Sequence, residues 1–216
     1  MRNIIPTLFF LCLFFLSFHV FSQRFTTTIG AGLGANLEEK FPDCSNTSSS
    51  GRVMAHITQF YSLKTRYQIG IQAITSGRLS GMLGAASGPC QEYEASSNTR
   101  TLSSNNMNAG SVLLRNRLLF SPERKKSFYL DVGIGMTTYY YGSVTADEGT
   151  VRKTSLAVSP QIGMMLKRFD VAAMMILGGR TPTFEGFDSF SNTNVSLSSI
   201  RSQQFYVTFS YAVFRF

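Results

Sequence analysis

Few side chains in this 216-residue sequence could do chemistry, and they are scattered. His56 is the only histidine beyond the N-terminal apolar segment. Thr58 and Ser62 share its parity in an alternating stretch. A nucleophile–histidine pair also needs an acid to orient the imidazole, and that stretch has none. Cys44 and Cys90 are the two cysteines left after Cys12 is set aside with the leading segment. One histidine and two cysteines do not supply a metal-ligand set. Gly30-x-Gly32-x-Gly34 and Gly133-x-Gly135 look like fragments of a phosphate loop, but no helix opens after either. Glycines at period two inside strands read as small positions or close backbone approach. Arg115, Arg117 and Asp131 fall on one parity of two successive alternating stretches, where opposite charges can pair. The sequence therefore offers no catalytic set, no metal and no cofactor site, but it does offer a candidate charge cluster.

Residues 1–22 must be set aside before the positioning elements are read. Arg2 precedes an apolar run from Ile4 to Val20, and Val20-Phe21-Ser22 precedes Gln23. That is the layout of a secretory signal peptide with cleavage after Ser22. Pro6 interrupts the run, which argues against a membrane anchor. Export makes a Cys44–Cys90 disulfide the expectation. The net charge of +8 could point to nucleic acid. The cations, however, fall largely in short turns rather than along a helix, so no nucleic-acid partner is expected.

From Gln23 the chain alternates with period two. Eight stretches read as strands, over about 25–33, 52–63, 66–75, 107–120, 127–141, 154–166, 171–180 and 203–216. Pro160 in the sixth suggests a bulge. The connections run long, short, long, short, long, short, long. Residues 36–51, 76–106, 142–153 and 181–201 read as long loops; 64–65, 121–126 and 167–170 read as short turns. One parity of each strand is apolar. The other carries Gln68, Gln72, Arg115, Arg117, Asp131, Gln161 and many glycines, which cannot form the oily interior of a soluble barrel. The expected fold is an all-β, eight-stranded antiparallel up-and-down transmembrane β-barrel over 23–216, with its polar parity inward. Short turns then lie in the periplasm and long loops outside. Cys44 and Cys90 fall in the first two external loops, where they can meet. Arg115, Arg117 and Asp131 become a lumen charge cluster, either a plug or a selectivity constriction. Tyr139, Tyr140 and Tyr141 close the fifth strand and read as an aromatic girdle.

The C-terminal stretch QQFYVTFSYAVFRF ends the sequence on Phe216. With Phe214-Arg215-Phe216 and the Ser22-Gln23 junction, the chain resembles small Gram-negative outer-membrane β-barrel proteins, OmpA/OmpX-like or PorT-like, of Bacteroidetes type. The resemblance implies the cell outer membrane as location and membrane lipid as surroundings. It implies Phe214 and Phe216 as a signal for the barrel-assembly machinery. Ala212, Ser210 and Thr208 are weak for that pattern, whereas Val213, Tyr211 and Phe209 of the other parity are apolar; a bulge near Ala212 reconciles the two. The function expected is a non-enzymatic scaffold that anchors external loops for surface interaction or supports the envelope. The alternatives are a barrel component of type IX export with a periplasmic protein partner for the basic turns, and a lipid-modifying enzyme centred on His56.

Overall fold

The computed structural model of the chain describes residues 25–36, 51–78, 93–94, 99–101, 107–122, 126–141, 150–190, 192–197, 199 and 201–215. Residues 1–22, which read as a signal peptide, and Cys44, Cys90, Arg124, Lys125 and Phe216 lie outside the described residues. Every regular element among them is a strand. Eight long strands carry the barrel: β1 (Phe25–Asn36), β2 (Gly51–Lys64), β3 (Tyr67–Arg78), β6 (Asn108–Leu119), β7 (Lys126–Tyr141), β8 (Val151–Leu166), β9 (Phe169–Arg180) and β12 (Arg201–Arg215). Four short strands stand outside it: β4 (Tyr93–Glu94), β5 (Thr99–Thr101), β10 (Phe184–Asp188) and β11 (Thr193–Leu197).

The barrel order is β1-β12-β9-β8-β7-β6-β3-β2, and β1 also pairs with β2, so the sheet closes without an edge. Closure removes the aggregation hazard of an aromatic terminal strand. Alternation decides the facing. Ile134 and Leu156 point outward and are 55% and 73% exposed, while Arg115 and Asp131 point inward and are 0% and 1% exposed. This is the reverse of a soluble protein, and in water the outer face would be a large uncovered apolar patch. A bilayer covers it.

Two local irregularities differ in outcome. Pro160 makes no bulge. It pairs in register with Val132, and the register towards β9 is the same on either side of it, from Val158 opposite Leu177 to Gln161 opposite Met174. The missing proline donor is thus tolerated without an extra residue. The terminal strand does carry a bulge. Thr28 faces Ala212 and Thr27 faces Phe214, so Val213 is the extra residue. Val213 and Phe214 are both exposed as a result. The parity change expected near Ala212 is therefore made one residue later.

The long connections are not all irregular. The stretch read as a loop over 181–201 folds into the β10–β11 hairpin. β11 then pairs in parallel with β5, and β5 pairs with β4, giving a four-stranded outer sheet. Asn192, with φ of 52°, helps the hairpin reverse. At the opposite end, Lys167 with φ of 55° makes a two-residue turn to Arg168, so β9 starts at Phe169, two residues before the expected strand.

Candidate functional site

The lumen near the short turns is filled by a closed ionic network. Arg115 and Arg117 are both inward on β6 and both donate to Asp131, opposite them on β7. Arg115 Nε lies 2.9 Å from Oδ1 and Arg117 Nε 3.1 Å from Oδ2. Arg117 also reaches Asp170 of β9 at 3.3 Å. Arg115 Nη1 donates to Ser159 Oγ at 3.0 Å, and Nη2 donates to Gln161 Oε1. Tyr129 donates to Asp170 at 2.6 Å and accepts from Gln161 Nε2 at 2.8 Å. The Arg117 guanidinium sits between the rings of Phe60 and Tyr129, 4.0 and 3.9 Å from their centroids. Two cations thus meet two carboxylates with further hydrogen bonds, the condition under which burying charge is tolerable. Gly133 gives this network room. A Cβ there would stand 2.8 Å from Arg115 Nη1.

The three expected members therefore come together. Asp170, Tyr129 and Gln161 complete them. Asp170 reads from sequence as a turn residue, yet it shares the inward parity of Ala172, Met174 and Ile176, and that was the available signal.

His56 gains a partner that adjacency in sequence cannot show. Its Nε2 lies 3.1 Å from Ser210 Oγ, 154 residues away, across the intervening β1. Gly30 of β1 pairs with both, and its missing side chain leaves the space in which they meet. The Nδ1 of His56 faces Thr58 Oγ1 at 3.4 Å and Gln72 Nε2 at 3.3 Å. Neither is a carboxylate that could stabilise an imidazolium in a hydrolytic set. The pair also faces the lumen, away from the lipid. It is a link in the polar filling.

Above this level the lumen becomes apolar, with Met54, Ile74, Leu113, Met174, Ile176 and Tyr206 packed together. Arg52, 1% exposed, bridges the next layer by donating to Met107 O at 2.8 Å and Tyr206 Oη at 3.3 Å. Phe184, Val195 and Leu197 of the outer hairpin then close the mouth against Met107, Tyr139 and Tyr141.

That packing corrects the girdle expected at Tyr139, Tyr140 and Tyr141. Tyr139 and Tyr141 continue the inward parity of Tyr129 and Asp131 and are buried under the hairpin, leaving Tyr140 with the outward parity. β7 runs 16 residues, longer than a tilted crossing needs, so its end meets protein rather than lipid. The outward aromatics gather at the short-turn end instead. Phe25 stacks near Tyr61 with centroids 5.1 Å apart, Phe169 near Tyr211 at 5.3 Å, and Tyr67, Phe120 and Phe128 are exposed beside them. Phe214 belongs to this outward end as well.

No protein-family profile and no curated protein matches this chain. Among solved structures it is similar to Neisserial surface protein A, with TM-score 0.51 and 10% identity over 87% of this chain and 96% of that one. Two further matches are the outer membrane protein OprG from Pseudomonas aeruginosa (TM-score 0.44, 10% identity, 88% and 96% covered) and the outer membrane protein AlkL in DMPC bilayers (0.43, 12%, 89% and 92%). A closed eight-stranded antiparallel barrel with an apolar exterior and a filled interior that buries charged side chains is an outer-membrane β-barrel by fold and by surface, and its place is the cell outer membrane.

Proposed function

We propose that the protein is a closed, non-enzymatic outer-membrane anchor that holds its outer sheet for contact outside the cell. The observation that carries this reading is the double seal of the lumen. The Arg115/Arg117/Asp131/Asp170 network occupies one end, and Phe184, Val195 and Leu197 cap the other. Two such layers leave little room for a continuous water path between the described residues, and eight-stranded barrels are normally filled by side chains. Among the described residues, what stands beyond the barrel is the four-stranded sheet, with Phe187 and Phe190 exposed on and beside β10.

The test replaces residues 184–197 by a short turn, with assembly read from heat-modifiable migration. Both proteins should assemble and insert. Cell-to-cell or cell-to-surface attachment should fall in the variant alone. Steady unitary conductance of the intact protein in planar bilayers would sink the reading, as would unchanged attachment by the hairpin-less variant.

The exposed turn cations Lys64, Arg66, Lys167 and Arg168 favour a second reading, a periplasmic partner as in an export apparatus. Crosslinking from Arg66 or Arg168 in cells, with the turn cations changed to glutamine as control, separates the two readings. A crosslinked periplasmic protein that is lost in the control supports the export role.

A further inference from the structure

The long-loop rim carries outward cations that form no ion pair with another described residue. Arg201 of β12 lies directly opposite Arg180 of β9, and both are exposed. Like charges at such positions are about 5 Å apart at Cβ and repel. The geometry that brings them together is specific. The β9–β12 register shifts here: Gln203 faces Leu177, but Arg201 faces Arg180. β9 therefore spends one extra residue between those pairs. Gly178 and Gly179 absorb it, because both present their Cβ positions inward, one against Tyr139 and the other against Ser155. The bulge turns Arg180 to the outside, a use to which bulges are often put.

On the next strand, Thr154 neighbours Ser155 and is exposed with outward parity, and Arg152 is the next outward position beyond it. Just below lie Leu156, Val158, Leu177 and Phe205, the upper edge of the apolar belt. Among the described residues no carboxylate pairs with Arg152, Arg180 or Arg201; the three ion pairs all belong to the lumen.

We propose that Arg180 and Arg201 bind the phosphate of an anionic lipid headgroup at the long-loop rim. Arg152 offers a further cation, beside the Thr138–Thr154 hydroxyl pair, whose oxygens lie 2.8 Å apart. The height fits, since Arg180 and Arg201 lie beyond Leu177 and Phe205, the exposed apolar residues nearest the rim on β9 and β12. The chemistry fits, since planar guanidinium forks suit phosphate oxygens and a shared anion relieves the repulsion between the pair. The acyl chains would lie along Leu156, Val158 and Leu177.

The test uses the full mature protein in phosphatidylcholine nanodiscs. Native mass spectrometry reads retention of added phosphatidylglycerol or lipid A, with inorganic phosphate as a separate arm. The intact protein should retain anionic lipid over phosphatidylcholine. R180Q/R201Q should lose roughly fivefold for each arginine removed, and R180K/R201K should keep part of the preference. R168Q, at the other end of the barrel, should keep all of it. Assembly is checked first by heat-modifiable migration; the single R201Q and the lysine pair carry the test where the double glutamine variant does not assemble. Equal retention by intact and R201Q proteins, an equal loss in R168Q, or full displacement of the lipid by equimolar inorganic phosphate would overturn the assignment.

Discussion

Arg117 and Asp170 form an ion pair of 3.3 Å although their strands, β6 and β9, are separated in the sheet by β7 and β8. The pair crosses the lumen rather than following the wall. It braces two sides of the barrel at the level where Phe60 and Tyr129 hold the guanidinium between their rings. Asp131 lies between the two arginines and accepts from both, so the four charges act as one unit.

Truncating Arg117 should therefore cost far more than an exposed arginine. Arg117→Ala leaves Asp170 buried with one cation fewer and is expected to lose roughly 3–5 kcal/mol in urea unfolding from lipid vesicles. Asp170→Asn should be coupled to it, so the double variant should fall short of the sum of the singles. Additive losses would show that the bridge is not a unit.

Facing makes a second prediction. Ile134→Arg and Leu130→Arg place a guanidinium on the lipid face and should each cost roughly 2–4 kcal/mol near mid-membrane. Phe187→Arg changes an equally exposed side chain on the outer sheet, and should stay within about 0.5 kcal/mol. Comparable losses at Ile134 and Phe187 would contradict the placement of the membrane belt.

The lid is expected to open without the barrel. Val195 is 1% exposed and packs with Phe184 and Leu197 against the barrel tyrosines. Val195→Asp buries a carboxylate with no cation in that cluster, so the hairpin should detach. The barrel strands have their own ladders and should stay paired, a case of local rather than global unfolding. Limited proteolysis should then cut within 184–197 while the heat-modifiable species persists. Loss of the folded species in the variant would make lid and barrel a single cooperative unit.

The barrel was legible because its rule is local. Period two, with Ile134 one way and Asp131 the other, needs only neighbours in sequence, and the long–short rhythm of connections separates the two ends of an antiparallel barrel. The charge cluster was legible for the same reason, since Arg115, Arg117 and Asp131 share a parity. The outer sheet was not. Its strands are short, Pro182 and a polar turn dilute the alternation, and β11 pairs in parallel with residues nearly a hundred positions earlier. Ser210 beside His56 was likewise hidden by sequence distance. Tyr139 and Tyr141 are a different case. Their inward parity could be counted from Asp131, but an aromatic run at a strand end suggested lipid when a protein lid was the true neighbour.

The last prediction separates glycines that are needed from one that is not. Strand glycine normally costs backbone entropy, so replacing it by alanine should stabilise a barrel wherever the methyl fits. At Gly110 the nearest atom to an added Cβ is Ile74 O at 4.0 Å, an ordinary van der Waals contact. Gly110→Ala should be neutral or stabilising by up to about 1 kcal/mol. At Gly30 the same methyl would stand 2.6 Å from Phe209 O and 2.6 Å from Ser210 Oγ, and it would also strike His56 Nε2. Two of those atoms are the His56–Ser210 contact, and the third is backbone of the neighbouring strand, which cannot move aside cheaply. Gly30→Ala should lose roughly 1–3 kcal/mol, the usual cost of overpacking. Urea titration of both variants in the same vesicles makes the comparison. If Gly30→Ala is as stable as Gly110→Ala, the side chains of β2 and β12 do not meet over β1, and the lumen between His56 and Ser210 is wider than this packing requires.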